Sequence, residues 1–484
     1  MTQQIEKTLR DNPKLRWFIL VIVAFSMLTA YLFQEIISPL KPMLEKAYGW
    51  SSSDFGLVTG AYGWLNVFIF MLVFVGILLD KIGVRISAIL AALISLVGGL
   101  IKWYSFNYID PSLVMSIFGY TFKTQVIVAG MGYAIFGVGT EYAGITVSKI
   151  IVKWFKGKEM ALAMGMEMAF ARLGSFIAMW AAPLVVIRFS IPVNVMLGVI
   201  MIFIGLLTFI VYYFFDVKLD KQLQAETDAL GDDEKFQLKD IGFILGNSGF
   251  WYVALLCVLF YSAVFPFYKF GPDLMVNKFG VPEQWAGFVV GLIPLFTIAL
   301  TPIFGNLYDK KGKGASIMYL GAALIIVAHL ILWIPGLTHI AFALISIAFL
   351  GVAFSLVPSA MWASVPKIIP ERQLGTAYAL IFWVQNIGLL AIPTLLGKVL
   401  DLTNPEVVAK LDEARKGFEA LGLTNEQIAE KMDLYKVENH IAWDYTQTWL
   451  IFIILTLFSL LFAYLLKRDD RIKGYGLELP NMKK

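Results

Sequence analysis

The chain of 484 residues is 59% hydrophobic and only 15% charged, against about 25% charged positions in soluble domains, which argues against a soluble enzyme. A formal charge of +4, with the basic residues scattered between apolar runs, gives no footprint for nucleic acid. One cysteine, Cys257, and three histidines, His329, His339 and His440, leave no cluster for zinc, haem, an iron–sulfur centre or a disulfide, so no cofactor is expected.

Apolar runs long enough to cross a bilayer recur from Leu15 to Leu466. Their unbroken hydrophobicity specifies helices, because barrel strands would alternate over about 10 residues. The amino-terminal stretch, with Lys7, Arg10, Lys14 and Arg16, lacks the apolar core and cleavage site of a signal peptide, so the first helix is expected to be retained. Helices are expected near 16–37, 54–79, 86–104, 124–152, 159–186 and 193–215. A polar linker, 216–247, carries Asp232, Asp233, Glu234 and Lys235. Six more helices follow near 248–270, 284–307, 315–333, 339–365, 374–400 and 445–466. The expected fold is an all-α membrane protein of twelve transmembrane helices in two pseudo-symmetric six-helix bundles, 1–215 and 248–484. Lys and Arg concentrate on the side of both termini, which the positive-inside rule places in the cytoplasm. The outer segment 401–444 reads as two soluble helices forming a passive lid, one capped by Asn404 with Pro405 at its first position, the other opened by a Thr424–Gln427 capping box.

The two halves repeat. GILLDKIG at Gly76–Gly83 and GNLYDKKG at Gly305–Gly312 match at an offset of 229, and Pro42, Gly49 and Gly56 recur as Pro272, Gly280 and Gly287 at offsets of 230 to 231. Internal duplication of six helices marks a transporter, with its binding site at the midplane between the halves. The repeated turn supplies a candidate gating set: Asp80, Lys81 and Gly83 with Arg85, and Asp309, Lys310 and Gly312. Glycine permits the tight turn. The aspartate can accept from amides at a helix amino terminus, or pair with Arg85 or Lys149, latching the halves while the cytoplasmic side is closed; topogenic charge is the alternative.

Ionisable residues within apolar spans are functional candidates, because each costs several kcal/mol unless paired or hydrated. They are Glu35, Glu141, Glu167 and Arg172, with Lys102 and Lys398 near outer ends where they can snorkel. Glu141 and Arg172 lie about 16 and 20 Å from the same membrane face, at the midplane of consecutive antiparallel helices. They form either a buried structural ion pair or the two ends of a substrate site. Glu167 is expected on a different face from Arg172, either pairing locally or binding substrate. Glu35, beside Tyr31 and Pro39, is expected to face the outer vestibule or bind an amine. Aligning the repeats through Gly174 and Gly388 puts Asn386, with Gln385 adjacent, opposite Arg172, where amides suit a polar uncharged group or pack between helices. Phe265, Tyr268 and Trp383 either wall side-chain pockets or pack. His329 is expected to be satisfied internally, and Gly130, Gly132, Gly137, Gly139 and Gly144 to serve helix packing.

The Gly-x-x-x-Asp-Lys-x-Gly repeat resembles the loop signature of the major facilitator superfamily. WFKGKE at Trp154–Glu159, ARLGS at Ala171–Ser175, FPF at Phe265–Phe267, PERQLGTAYAL at Pro370–Leu380 and QNIG at Gln385–Gly388 resemble one branch, major facilitator superfamily domain-containing protein 1, the lysosomal dipeptide transporters. The resemblance implies an alternating-access carrier of dipeptides or similar small zwitterions, with Glu141 and Arg172 where that branch has its acidic and basic site residues. The outer insertion and the lack of an obvious sorting tail depart from the branch and put a lysosomal address in doubt, not the fold; a bacterial inner membrane is expected. The competing readings are a proton-coupled organic-anion carrier, using Arg172 for the carboxylate and Glu141 or Glu35 for the proton, and a nutrient sensor of the same fold that does not transport. The expected partners are a small solute, protons in the coupled reading and the bilayer, around a monomer. No HExxH motif, Ser–His pair or Asp dyad suggests catalysis.

Overall fold

The computed structural model describes residues 8–155, 158–227, 238–370 and 373–480; the linker charges Asp232, Asp233, Glu234 and Lys235 and the side chain of Asp80 lie outside the described residues. Helix α1 (Pro13–Glu35) starts at Asn12, whose side chain accepts from the Lys14 and Leu15 amides, and continues through a 3₁₀ turn at Ser38–Leu40 into α2 (Lys41–Tyr48). Next come α3 (Ser52–Gly60), α4 (Trp64–Phe68) and α5 (Met71–Tyr108), then a hairpin of β1 (Val114–Ile117) and β2 (Tyr120–Lys123). The chain continues with α6 (Thr124–Phe155), α7 (Met160–Arg188), α8 (Ile191–Thr227), α9 (Leu238–Leu245), α10 (Ser248–Phe279), α11 (Glu283–Lys311) and α12 (Gly314–Trp333). Last are α13 (Ile340–Ile368), α14 (Leu374–Thr403), α15 (Pro405–Ala420), α16 (Asn425–Glu438) and α17 (Thr446–Lys473). Among the described residues eleven helices suffice to span a membrane, or twelve when the bent pair Ser52–Phe68 and Met71–Leu79 counts as one span. The chain is a multi-pass integral membrane protein.

That bent pair corrects the continuous helix expected over 54–79: its halves meet at 62°. Phe70 adopts a left-handed backbone (φ 53) and stacks on Trp383 of α14, 5.2 Å between centroids. The Val67 carbonyl, released near the break, accepts from Trp383 Nε1 at 3.2 Å. A bend is tolerated because another helix satisfies the freed backbone group. The span turns again at Gly83, whose φ of 77° suits glycine, and there the second span gives way to the third. The hairpin and α9 were not foreseen.

The duplication is visible in packing. Gly49 (φ 61) and Gly280 (φ 65), one repeat apart, end α2 and α10 as left-handed caps. Gly56 and Gly287 both let helices cross closely between bundles: a Cβ would strike the Pro393 carbonyl from the first and the Met179 carbonyl from the second. Gly174 likewise seats α7 on α1, and Gly388 seats α14 on α10.

We call the end of the molecule bearing the insertion the insertion end and the opposite one the terminal end. At the insertion end the bundles are locked together. Asp401 of α14 accepts from the Ser52 and Ser53 amides at 3.0 and 2.7 Å, capping α3, while Arg415 donates to the Lys46 and Ala47 carbonyls at 3.0 and 3.3 Å, closing α2. Lys41 pairs with Asp273 at 2.7 Å, and the Tyr445 hydroxyl donates to the same carboxylate. Lys46 bridges Glu283 and Asp433, both at 2.8 Å, and Glu45 accepts from Lys436 and Trp443 Nε1, both at 2.9 Å. Burial alone would lower the Lys436 pKa, but Glu45, Asp273 and Glu283 together outweigh it and hold the pKa above the usual lysine value. The Thr424 capping box is present as expected. Asn404, by contrast, makes no cap with its side chain; it donates to the Leu400 and Asp444 carbonyls, each at 2.9 Å, because α14 runs almost directly into α15. Deleting 404–438 across a short Gly/Ser linker is expected to shift the molecule about tenfold toward opening at this end, since partly exposed ion pairs contribute about 0.2–1 kcal/mol each. Distances between labels on the two bundles would measure the shift, and a changed substrate ranking would make the insertion part of the binding site.

Lys102 does not snorkel. It is 0% exposed, with Nζ 3.9 Å from the Tyr133 ring centroid and 5.1 Å from that of Phe33, and it has no hydrogen-bond acceptor. Cation–π contact offsets only part of the desolvation of an ammonium. Lys102→Met is therefore expected to stabilise the empty protein by about 1 to 4 kcal/mol. A lowered melting temperature would show that the ammonium is worth more to the fold than its burial costs. Lys398 is exposed, as a snorkelling lysine should be.

Candidate functional site: a cavity between the bundles

A cavity of about 170 Å³ lies between the bundles, its walls drawn from α1, α6 and α7 on one side and α10, α13 and α14 on the other. Glu141, Arg172, Tyr31, Phe265 and Gln385, all singled out from sequence, line it. Among the described residues Glu141 and Arg172 form no ion pair with each other. Glu141 instead accepts from the Tyr62 hydroxyl at 3.0 Å. The Arg172 guanidinium lies 4.6 Å from the Phe354 ring centroid, 5.6 Å from that of Phe265 and 5.9 Å from that of Tyr31. It is 7% exposed, and its buried Nη1 has no hydrogen-bond partner. The aromatic cage holds the guanidinium plane without using up its donors. The structural ion pair weighed from sequence is not made.

Ser148 and Met168, near the terminal ends of α6 and α7, are exposed, whereas Arg172, Tyr261 and Phe265 at the deep end are buried. The cavity opens toward the terminal end and is closed by the locked insertion end.

Several expectations need correction. Glu167 shares the cavity with Arg172, although five helical residues separate them, because the cavity wraps around α7. Glu35 does not reach it: fully buried, it pairs with Lys269 of α10 at 2.6 Å and accepts from the Ser38 hydroxyl at 2.6 Å. Tyr268 sits behind Phe265, with ring centroids 5.7 Å apart, and is not in the lining. Trp383 braces the bent second span instead of walling a pocket. Asn386 is fully buried beside Glu141, accepting from Asn66 Nδ2 at 3.4 Å and donating to the Phe382 carbonyl at 3.0 Å, so it supports the wall without facing the cavity. The expectation for His329 is met in part: Nε2 lies 3.0 Å from the Ala263 carbonyl and the ring stacks on Phe452, while the buried Nδ1 has no hydrogen-bond partner.

Of the gating set, Gly83 and Gly312 (φ 70) supply the turns. Arg85 pairs within its own bundle, with Asp220 at 3.0 Å and Asp216 at 3.7 Å, where Lys153 joins both carboxylates. Lys81 and Lys310 are exposed and Asp309 is partly so. A Cβ on Gly312 would meet the backbone of Glu478 and Leu479, where the carboxyl-terminal segment runs beside the loop. In this conformation the bundles are latched at the opposite end.

Tyr62, Thr140, Tyr261, Trp362 and Phe382 also line the cavity and were not anticipated. Their types are ordinary packing residues in an apolar span, so the residues in order carry no signal for them. Lys269 and Asp273 were missed although both charges stand in one apolar span, four residues apart.

Two pseudo-symmetric six-helix bundles around a polar, one-sided cavity define a membrane carrier of small solutes. Residues 23–393 match the Major Facilitator Superfamily, and the chain belongs to it. It is 26% identical over 402 residues to the lysosomal dipeptide transporter MFSD1 of Homo sapiens, covering 80% of each chain. Over 286 residues it is 30% identical to the MFSD1 of Gallus gallus, covering 56% of this chain and 62% of that one. Its fold resembles a bacterial homolog of the human lysosomal transporter Spinster, in an inward-facing and unoccupied conformation (TM-score 0.66, 13% identity, 94% and 98% of the two chains). The nucleoside transporter NupG is similarly related in fold (TM-score 0.63, 13% identity, 93% and 98%). These relatives are membrane transporters, not enzymes.

Proposed function

We propose that this protein carries dipeptides, or closely related small zwitterions, by alternating access across a bacterial inner membrane, with both termini in the cytoplasm. The observation that carries the reading is that Glu141 and Arg172 line one cavity without pairing to each other. An extended dipeptide places its charged ends at most about 7 Å apart. Arg172 offers a bidentate fork to the carboxylate and Glu141 a counter-charge to the amine. Gln385, buried at the cavity wall, suits the uncharged peptide bond between them. The similarity to the MFSD1 proteins supports the same substrate class.

A thermal-shift screen of purified protein against amino acids, dipeptides, tripeptides and organic anions, followed by counterflow in proteoliposomes, tests the reading. Stabilisation and counterflow by dipeptides alone are expected. Stabilisation by organic anions, with counterflow that follows pH, would replace it with the proton-coupled anion carrier, for which Glu167 beside Arg172 supplies a second carboxylate. Binding without counterflow would make the protein a sensor.

A further inference from the structure

Away from the central cavity, α12 and α17 enclose a concavity of about 250 Å³ at the terminal end, lined by Tyr319, Tyr464, Lys467, Arg468 and Arg471. The four residues from α17 stand at i, i+3, i+4 and i+7, so they share one helix face. Three like charges on such a face repel one another. Among the described residues none of the three has an ion-pair or hydrogen-bond partner. The acids beside them turn elsewhere. Asp469 accepts from the Ser248 and Tyr475 hydroxyls at 2.7 and 3.1 Å, and Asp470 accepts from the Leu477 amide at 2.9 Å. The helix thus commits its acids to the protein and leaves its bases facing the concavity.

Toward the middle of the span the same two helices present exposed apolar side chains: Leu457 and Leu461 on α17, Leu320 and Val327 on α12. Two tyrosines mark the boundary between the charged and apolar portions, the depth at which aromatic residues meet lipid headgroups.

We propose that this concavity binds the headgroup of an anionic phospholipid. Lys467, Arg468 and Arg471 hold the phosphate oxygens, the arginines through their paired donors. The acyl chains lie along the apolar faces of α12 and α17. The continuity of basic and apolar surface favours a lipid over a soluble phosphate. Three uncompensated cations favour phosphatidylglycerol or cardiolipin over phosphatidylethanolamine, whose ammonium they repel. The site lies in the second bundle and is independent of the transported substrate.

Native mass spectrometry of delipidated protein, given cardiolipin, phosphatidylglycerol or phosphatidylethanolamine in turn, tests the assignment. Wild-type protein should retain one anionic lipid at least about fivefold more than phosphatidylethanolamine. Lys467→Gln, Arg468→Gln and Arg471→Gln together should lower that retention about tenfold. Neutralising Lys14, Lys218 and Lys221, three exposed bases at the same end of the first bundle, should leave it unchanged. Should the triple variant misfold, Arg471→Gln alone should lower retention a few-fold, and Arg471→Lys should restore much of it. Equal retention of the anionic and zwitterionic lipids, or equal losses in the two triple variants, would overturn the proposal. Thermal stabilisation by inorganic phosphate or glycerol 3-phosphate matching that by phosphatidylglycerol would assign the concavity to a free anion and overturn the lipid.

Discussion

Arg172→Lys is expected to slow transport of carboxylate-bearing substrates by about 10- to 100-fold, equivalent to about 1.5 to 3 kcal/mol of hydrogen bonding to a charged group. Charge is conserved, but the flat guanidinium caged by Tyr31, Phe265 and Phe354 is not. A lysine ammonium is a compact, strongly hydrated charge that presents no fork and packs poorly between rings. Counterflow with wild-type and variant protein measures the loss. Amidating the substrate carboxylate should cost wild-type protein a similar factor and add little in Arg172→Ala, because the two groups that would meet are then both gone. Additive losses, or near wild-type uptake by Arg172→Lys, would remove Arg172 from the substrate.

In Glu141→Gln the affinity for dipeptides with a free amine should fall about tenfold, while amino-acetylated dipeptides are comparatively spared, since only the charged amine gains from a carboxylate. Because Glu141 bonds to Tyr62 and not to Arg172, glutamine retains an acceptor for that hydroxyl and strands no buried cation. The melting temperature of the empty protein should therefore change little. A structural pair would behave differently: breaking it leaves an uncompensated charge at about 3 to 5 kcal/mol and lowers stability with or without ligand. Equal loss for free and acetylated dipeptides, together with a large drop in unliganded stability, would return Glu141 to a structural role.

The spans, the duplication and the placement of Glu141 and Arg172 within spans were legible because each depends on position along the chain: an apolar run, a repeat offset, a charge inside a run. Position along the chain is a one-dimensional quantity. Which way a charge faces and what it meets are not, and here the reading along the chain failed. Glu167 lies about 140° around α7 from Arg172 at 100° per residue, yet both reach one cavity because the neighbouring helices leave that sector open.

Hydrophobic patterning acts locally and repeats with the duplication, so a duplicated multi-helix membrane protein with an acid and a base inside its apolar spans can be read from the residues in order. How the charges are shared depends on the packing of helices distant in the chain. That packing gave Glu35 to Lys269, 234 residues away, left Arg172 unpaired among aromatic rings, and placed a bundle lock at the insertion end. The reason is that a buried charge takes whatever counter-charge helix packing brings within a few ångströms, and packing between helices far apart in the chain is set by contacts such as those at Gly56 and Gly287, whose partners are backbone atoms that carry no signature in the sequence.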